Sequence, residues 1–358
     1  MNKIYILLII LILSCSKPVE KPNLLFILVD DLGWTDVSYN GSDFYKTQNI
    51  DRLSLNSMLF YNAYASSSVC SPTRAAIMTG KHPARVNITD WIPGLEEQPH
   101  YNNKNKPLIG PQDLNELPLS EITIAEVLKK NGYKTFYSGK WHLGSEGHYP
   151  EDQGFDINIG GFEKGSPMGG YYTPYKNPKL EDGPEGEYLT DRLTQETIDF
   201  IDSRDESKPF AAFLAFYNVH TPIQENKEFY DYYKEKLKDY DDIEPVTKKE
   251  GDAITLLNQR NAKYASMVHA TDYNVGKIIN YLQENNLYDD TLIVFTSDNG
   301  GLSTLKRIAP TSVYPLRAGK GWLYEGGIKI PQLMKLPNKH FKKSYMNQLC
   351  HMIFFQLS

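Results

Sequence analysis

Residues 23–29 read Asn-Leu-Leu-Phe-Ile-Leu-Val, and two aspartates, Asp30 and Asp31, follow them directly. An unbroken apolar run of this length is typical of a strand that is buried on both faces of a parallel sheet. Open α/β sheets bind their ligands outside the carboxyl ends of the strands, where this acidic pair stands. The stretch therefore predicts an α/β protein with its site at that edge of the sheet.

Strands and helices alternate along the rest of the chain. Thr123 and Glu126 have the spacing of a capping box, and Gly132 provides a stop, so this segment is predicted to be helical. The predicted strands are 23–29, 133–138, 209–217, 291–296 and 333–337, and the predicted helices are 75–80, 123–131, 190–203 and 260–285. This alternation predicts an α/β fold with a mainly parallel central sheet flanked by helices.

The composition narrows the class of protein. The 358 residues carry 38 Lys+Arg and 44 Asp+Glu, a formal net charge of -6, and 41% of them are hydrophobic. These values are ordinary for a folded protein, and the acidic balance argues against a nucleic-acid partner. Cysteine occurs only at positions 15, 70 and 350, so no disulfide framework is expected.

The N-terminus predicts export. An apolar run from Ile4 to Leu13 follows Lys3 and is short for a transmembrane helix, so a signal peptide within residues 1–21 is expected. Ser14-Cys15 resembles a bacterial lipoprotein cleavage site, which predicts a lipid anchor on Cys15. The alternative is ordinary secretion with an incidental cysteine. Either way, the expected location is the periplasm or the outer membrane of a bacterium.

Polar residues gather where four predicted strands end. The residues at these strand ends are Asp30, Asp31, Lys140, His142, His220, Asp298 and Asn299. Because the carboxyl ends of parallel strands share one edge of a sheet, these four segments are predicted to converge on one pocket.

Two of these strand ends predict a metal site. Asp30, Asp31, Asp298 and Asn299 offer only oxygen ligands, which suit calcium first and magnesium second, rather than zinc. An isolated Asp-Asp pair after a strand often caps a turn instead. Two such pairs at two strand ends weaken that alternative.

Cys70 stands just before the short helix that ends at Gly80. A cysteine at a helix N-terminus is expected to have a lowered pKa, and the free amide groups there favour an anion. The alternative is a small buried cysteine in a loop.

The stretch Cys70-Ser71-Pro72-Thr73-Arg74 resembles the C-x-P-x-R signature of the type I sulfatases. In that family a formylglycine-generating enzyme oxidises the cysteine to formylglycine. Further blocks resemble the family in the same order, at residues 22–36, 132–144, 218–222, 291–301 and 316–331. The resemblance covers about residues 22 to 337. It implies the alkaline-phosphatase-like fold and hydrolysis of sulfate esters, on sulfated carbohydrates or aryl sulfates.

The resemblance also implies what each site residue does. Calcium would be held by Asp30, Asp31, Asp298, Asn299 and the modified Cys70. A hydroxyl of hydrated formylglycine would attack sulfur, His220 beside Lys320 would protonate the leaving alcohol, and His142 would deprotonate the second hydroxyl to expel sulfate. Arg74, Lys140 and Lys320 would stabilise the charge on the sulfate oxygens.

Candidate sugar-stacking residues lie at 88–92, around Trp91, and in a Gly- and Tyr-rich stretch at 160–186 that contains Tyr171, Tyr172 and Tyr175. Long loops of this kind are often functional. Packing inside the protein is an equally good explanation for these aromatic residues.

Two alternatives to an active sulfatase remain. A phosphatase or phosphodiesterase of the same fold would place Ser or Thr at the nucleophile and add Asp/His ligands for two zinc ions, which Cys70, Pro72 and Arg74 argue against. The second is a truncated, inactive sulfatase-like lipoprotein. The predicted catalytic domain is 22–343, the likeness fades in an atypical tail at 344–358, and the family's C-terminal subdomain is expected to be missing. Such a chain is expected to be poorly soluble and weakly active.

Overall fold

The computed structural model describes residues 21–92, 113–339 and 343–353. The predicted signal peptide and Cys15 lie outside the described residues. The described strands are β1 (Asn23–Val29), β2 (Met58–Phe60), β3 (Ala63–Tyr64), β4 (Lys134–Gly139), β5 (Ile157–Ile159), β6 (Phe210–Ala215), β7 (Thr247–Glu250), β8 (Ala253–Leu256), β9 (Thr291–Ser297), β10 (Thr304–Leu305), β11 (Lys329–Ile330), β12 (Gln332–Lys335), β13 (Lys343–Tyr345) and β14 (Leu349–Cys350).

The α-helices of the described residues are α1 (Gln48–Ser54), α2 (Cys70–Thr79), α3 (Pro83–Val86), α4 (Ile124–Lys130), α5 (Leu189–Asp202), α6 (Lys227–Lys236), α7 (Ala262–Glu284) and α8 (Glu325–Ile328). Short 3-10 helices lie at Trp34–Asp36, Ser38–Asn40, Leu237–Asp239 and His351–Ile353. No helix in these ranges is both long enough and apolar enough to cross a membrane.

A large sheet of eight strands organises the fold, in the order β13-β2-β12-β9-β1-β6-β4-β5. Strands β9, β1, β6, β4 and β5 are parallel to one another, whereas β12 is antiparallel to both β9 and β2. The prediction of an α/β fold with a mainly parallel sheet is confirmed. Two small three-stranded sheets, β10-β8-β7 and β11-β3-β14, lie beside it.

Strand β1 is buried on both faces, as its apolar run predicts. Leu25, Ile27 and Val29 face the core that holds α1, α5 and α7, whereas Leu24 and Phe26 face the core that holds α2 and α4. Successive side chains of a strand point to opposite faces, so a continuous apolar run serves both cores. The carboxyl end of β1 is thereby fixed at the centre of the sheet.

Residues 343–353 form more structure than the sequence analysis predicts. Strand β13 extends the large sheet beside β2, and β14 extends a small sheet beside β3. His351 follows and is fully buried, with its Nε2 atom 2.9 Å from Thr296 Oγ1. These strands have two or three residues each, too few for a period of two to show in the sequence.

Candidate active site

The four strand ends predicted to converge are neighbours in the sheet. Strands β9, β1, β6 and β4 are consecutive in the strand order, and they all run in the same direction. The polar residues that follow them therefore lie along one stretch of the same edge. Asp31 and His142 both have positive φ angles there, of 62° and 60°. Non-glycine residues with such backbones concentrate at functional sites.

Three carboxylates and a thiol form a compact buried group. One ligand atom from each of Asp30, Asp31, Asp298 and Cys70 lies within 4.8 Å of the others. All four side chains are at most 2% exposed. Asn299 joins them, because its Nδ2 atom donates to Asp31 Oδ1 over 2.8 Å.

The donor set fits a hard divalent cation. The Oδ1 atom of Asn299 is buried and has no hydrogen-bond partner among the described residues, so it is left to serve as a ligand. Oxygen donors of this kind, from Asp and Asn side chains, are what calcium and magnesium bind. The predicted ligands Asp30, Asp31, Asp298 and Asn299 are thus brought together beside the thiol of Cys70.

Each carboxylate also contacts at least one cationic side chain. Lys140 Nζ donates to Asp30 Oδ2 over 2.6 Å, and Lys320 Nζ lies 2.6 Å from Asp31 Oδ1. Arg74 Nε donates to Asp298 Oδ2 over 2.9 Å. Buried charges persist in proteins when they are paired and hydrogen-bonded in this way.

Burial and charge shift the pKa values of the carboxylates in different directions. Burial, with Asp298 next to it, raises the pKa of Asp30 to about 8. Burial also acts to raise the pKa of Asp298, but the Arg74 guanidinium and the Lys140 ammonium hold it well below its usual range. Ionisation is therefore least favourable at Asp30, and a bound cation would offset that cost.

Cys70 is the first residue of α2, but its thiol is not activated as predicted. Burial raises the pKa of Cys70 to about 12, and the positive charges of Lys140 and Lys320 offset this effect only in part. The predicted lowering by the helix N-terminus is wrong, since the side chain is 2% exposed and desolvation outweighs the helix. The thiol donates to Asp30 Oδ1 over 3.5 Å.

The two predicted catalytic histidines have defined tautomers, because a carbonyl oxygen can only accept a hydrogen bond. His142 donates from Nε2 to Ile92 O over 2.8 Å, so its buried Nδ1 atom carries the lone pair. His220 donates from Nδ1 to Thr221 O over 2.8 Å, and its Nε2 atom lies 3.8 Å from Asp31 Oδ2. Burial, followed by Lys140, lowers the pKa of His142, and burial, followed by Lys320, lowers the pKa of His220 to about 3.

A cavity of about 440 Å³ opens onto this group of residues. Its walls are Val69, Cys70, Trp91, Ile92, His142, Glu163, Lys164, Gly165, Ser166, His220, Leu302, Lys320 and Gly321. Arg74 and Lys140 are not among these residues, and both are at most 1% exposed. The structure thus places Lys320 on the cavity surface, and Arg74 and Lys140 underneath it against the carboxylates.

The aromatic wall is only partly as predicted. Trp91 lines the cavity and is 41% exposed, in agreement with the prediction. Tyr171 and Tyr175 are at most 1% exposed and belong to the core, so packing inside the protein, the alternative explanation, holds for them and sugar stacking does not. The Tyr171 hydroxyl is instead 2.7 Å from the carbonyl oxygens of Tyr217 and His220.

The cavity segment 163–166 was not predicted as part of the site. It follows β5, which is parallel to β4, so it obeys the same strand-end rule as the other site residues. The sequence shows no clear strand pattern here, because β5 has three residues and none of them is fully buried. Only the glycine-rich composition of residues 160–186 marked this region.

The fold and the buried carboxylates around Cys70 define a protein of alkaline-phosphatase-like architecture, and comparison with known proteins agrees. A model of the sulfatase family matches residues 22–355, so the chain belongs to that family. The match reaches beyond residue 337, where the resemblance seen in the sequence ends.

Two curated relatives illustrate the likeness. Arylsulfatase J of Mus musculus is 29% identical over 348 residues, which cover 93% of this chain and 51% of the relative. N-acetylgalactosamine-6-sulfatase of Homo sapiens is 29% identical over 344 residues, which cover 91% of this chain and 59% of the relative. The chain thus spans between half and three fifths of the length of these two relatives.

A solved structure shows the same fold. The crystal structure of Ps i-CgsB in complex with k-i-k-neocarrahexaose superposes with a TM-score of 0.71 at 30% identity, and the match covers 94% of this chain and 70% of that one. The PsFucS1 sulfatase of Pseudoalteromonas sp. superposes with a TM-score of 0.68 at 23% identity, a likeness of fold.

Proposed function

We propose that this protein hydrolyses sulfate monoesters of carbohydrates, with formylglycine at position 70 and a calcium ion held by Asp30, Asp31, Asp298 and Asn299. The observation that carries the proposal is the position of Cys70. It is the first residue of a buried helix, and its Sγ atom lies within 4.8 Å of one oxygen from each of the three carboxylates. A cation held there would contact both the group at position 70 and a sulfate bound in front of it.

Position 70 is proposed to be modified by a formylglycine-generating enzyme, which reads Cys70, Pro72 and Arg74 in the unfolded chain. After modification, position 70 supplies a gem-diol hydroxyl as nucleophile, and the metal supplies positive charge for the sulfate oxygens. Lys320 adds a further positive charge at the cavity surface, where it is held by both oxygens of Asp31. Its side chain is 15% exposed, so a bound sulfate can reach it.

The two histidines are proposed to move protons through the ring nitrogens that their backbone hydrogen bonds leave unengaged. His220 keeps its Nδ1 proton on Thr221 O, so Nε2 is the atom that would bind a second proton and give it to the leaving alcohol. Burial and Lys320 disfavour that second proton in the free protein, and the negative charge of a bound sulfate would favour it. His142 keeps its Nε2 proton on Ile92 O, so Nδ1 is the atom that takes a proton. General acid and base catalysis of this kind requires each atom to lie within hydrogen-bond reach of the reacting group.

Arg74 and Lys140 are proposed to act through the carboxylates. Arg74 binds Asp298 and donates from Nη1 to Lys140 O over 2.5 Å, while Lys140 binds Asp30. These contacts fix the orientation of two proposed metal ligands. Ligands held by such outer contacts keep their geometry when the metal binds.

A carbohydrate substrate is supported by the cavity and by the relatives. Trp91 presents an indole ring at the cavity surface, and Glu163, Lys164 and Ser166 add polar groups. The name of the human relative states activity on N-acetylgalactosamine 6-sulfate, and Ps i-CgsB was crystallised with an oligosaccharide.

The test is to produce the protein together with a formylglycine-generating enzyme and to analyse the peptide that contains Cys70 by mass spectrometry. We expect an aldehyde at position 70, and turnover of a panel of sulfated oligosaccharides and aryl sulfates. Cys70→Ala should abolish turnover, whereas the control Cys350→Ala, whose thiol contacts Ser66 and lies outside the carboxylate group, should retain it. Full activity with an unmodified Cys70 would refute the mechanism.

A further inference from the structure

The segment from Phe162 to Ser166 is held firmly against His142. The His142 backbone N–H donates to Phe162 O over 3.3 Å. A Cβ atom on Gly165 would lie 2.4 Å from Cε1 of the His142 ring, so only glycine allows this contact. The Tyr149 hydroxyl donates to Glu163 Oε2 over 2.9 Å and so fixes the side chain next to Phe162. The backbone of this segment, from which its side chains project, is therefore held in place beside His142, the proposed catalytic base.

Lys164 lies in the middle of this segment and lines the cavity. Across residues 21–92, 113–339 and 343–353, nothing forms an ion pair or hydrogen bond with its ammonium group. The other lysine of the cavity, Lys320, is engaged by both oxygens of Asp31. Lys164 thus offers the cavity a positive charge that its described neighbours do not neutralise.

The groups around Lys164 match a sugar. Glu163 keeps its Oε1 atom without a hydrogen-bond partner among the described residues, and the Ser166 hydroxyl is in the same state. These groups can bind sugar hydroxyls, and the indole of Trp91 can cover a sugar face. The carboxylate of Glu163 repels anions. Lys164 is the cationic side chain of this cavity segment, so it is the residue there that can bind an anion. The net charge of the whole chain is -6, so anion binding here depends on local cations.

We infer that Lys164 is a specificity residue that binds a second anionic group of the substrate, a sulfate or a carboxylate, close to the sulfate ester that is cleaved. The inference rests on the proposed function and narrows its substrate class to saccharides that carry at least two acidic groups. The first sulfate would lie at position 70 with Lys320, and the second anionic group would lie against Lys164 in the same cavity.

The test measures binding separately from turnover. Cys70→Ala protein lacks the nucleophile, so it can be titrated calorimetrically with matched pairs of mono- and disulfated galactose, N-acetylgalactosamine and N-acetylglucosamine. We expect tighter binding of the disulfated member of at least one pair. Adding Lys164→Gln should reduce this preference about 10-fold, whereas Lys164→Arg should largely keep it. The matched control is Lys130→Gln, an exposed lysine at the end of α4, near the amino ends of the strands.

The outcomes separate the two claims. A preference for the disulfated sugar that depends on Lys164 supports the inference, even if the modified enzyme turns over no sulfate ester and the proposed function fails. Equal weakening of both members of every pair by Lys164→Gln would overturn it, because Lys164 would then bind the first sulfate. Equal binding of both members to the parent protein, or a preference unaffected by Lys164→Gln, would overturn it as well.

Discussion

Arg74 links the sequence signature to the geometry of the carboxylates. Its Nε atom binds Asp298, and its Nη1 atom binds the carbonyl oxygen of Lys140, which itself holds Asp30. Arginine can serve both partners because its guanidinium is a rigid fork of several donors, which a lysine ammonium does not reproduce. The spacing of Cys70 and Arg74 was readable from the sequence. The partners of Arg74 were not, since they are 66 and 224 residues away.

Tyr171 is predicted to position His220. Its buried hydroxyl lies 2.7 Å from the carbonyl oxygens of both Tyr217 and His220. Tyr171→Phe removes these hydrogen bonds, so we expect kcat to fall roughly 5- to 10-fold through loss of alignment, and stability to fall by about 1 kcal/mol. Steady-state kinetics and urea unfolding measure the two effects.

The control for this prediction is Tyr175→Phe in the same loop. Tyr175 is equally buried, but its hydroxyl binds Glu187 Oε2 over 2.8 Å instead of the backbone at His220. We expect a similar loss of stability with kcat within about 2-fold of the parent. If the two variants lower kcat equally, Tyr171 has only a packing function.

At the scale of elements, a helix is predictable when its capping residues are close in sequence and is missed when its cap comes from a distant part of the chain. The capping box of Thr123 and Glu126 is present at the start of α4, as predicted, because both partners lie within one turn. Helix α1 was not predicted. Its N-cap residue, Thr47, makes no capping hydrogen bond, and Asp272 of α7 accepts the backbone N–H groups of Asn49 and Ile50 instead. A cap that is supplied from more than 200 residues away leaves no pattern in the sequence.

This distant cap predicts a pH dependence of stability. Burial raises the pKa of Asp272 from 3.8 to about 6, although the hydrogen bonds from α1 act to lower it. The folded state thus binds the proton more tightly than the unfolded state, so the stability from this group is present at low pH and is lost as the pH rises through 6. Relative to Asp272→Asn, the parent should gain about 1 kcal/mol in free energy of unfolding between pH 7.5 and pH 5.

Urea unfolding of both proteins at the two pH values measures this difference. Asp272→Asn is a suitable reference, because one oxygen remains to accept the N–H groups of α1 while the charge is removed. The difference in free energy of unfolding between the parent and Asp272→Asn could instead stay constant with pH or change in the opposite direction. Either result would show that the N-terminus of α1 holds the pKa of Asp272 at or below its ordinary value.

At the scale of the whole molecule, much of the sheet and the position of the site were predictable. The buried strands β1, β6 and β9 have long apolar runs, and polar residues at their ends predicted the shared edge. The antiparallel direction of β12 and the strands of residues 343–353 were not predictable, since β12, β13 and β14 are short and pair with strands that are distant in sequence. The cavity segment at 163–166 was missed for the same reason, because β5 is also short.

The molecule as a whole should be stabilised by calcium. An ion that binds only the folded state raises the free energy of unfolding, by about 2.7 kcal/mol when its free concentration is 100 times its Kd. In protein whose Cys70 has been converted to formylglycine, we therefore expect calcium, added after chelation, to raise the melting temperature, and zinc to fail, because the Asp30, Asp31, Asp298 and Asn299 ligands are hard oxygens and the thiol is gone. Asp31→Asn should lose this shift, since it removes a ligand charge while its partner Lys320 keeps contact with solvent.

The control Asp272→Asn changes a carboxylate outside the ligand group and should keep the shift. An equal calcium shift in Asp31→Asn and the parent would place the ion elsewhere in the protein.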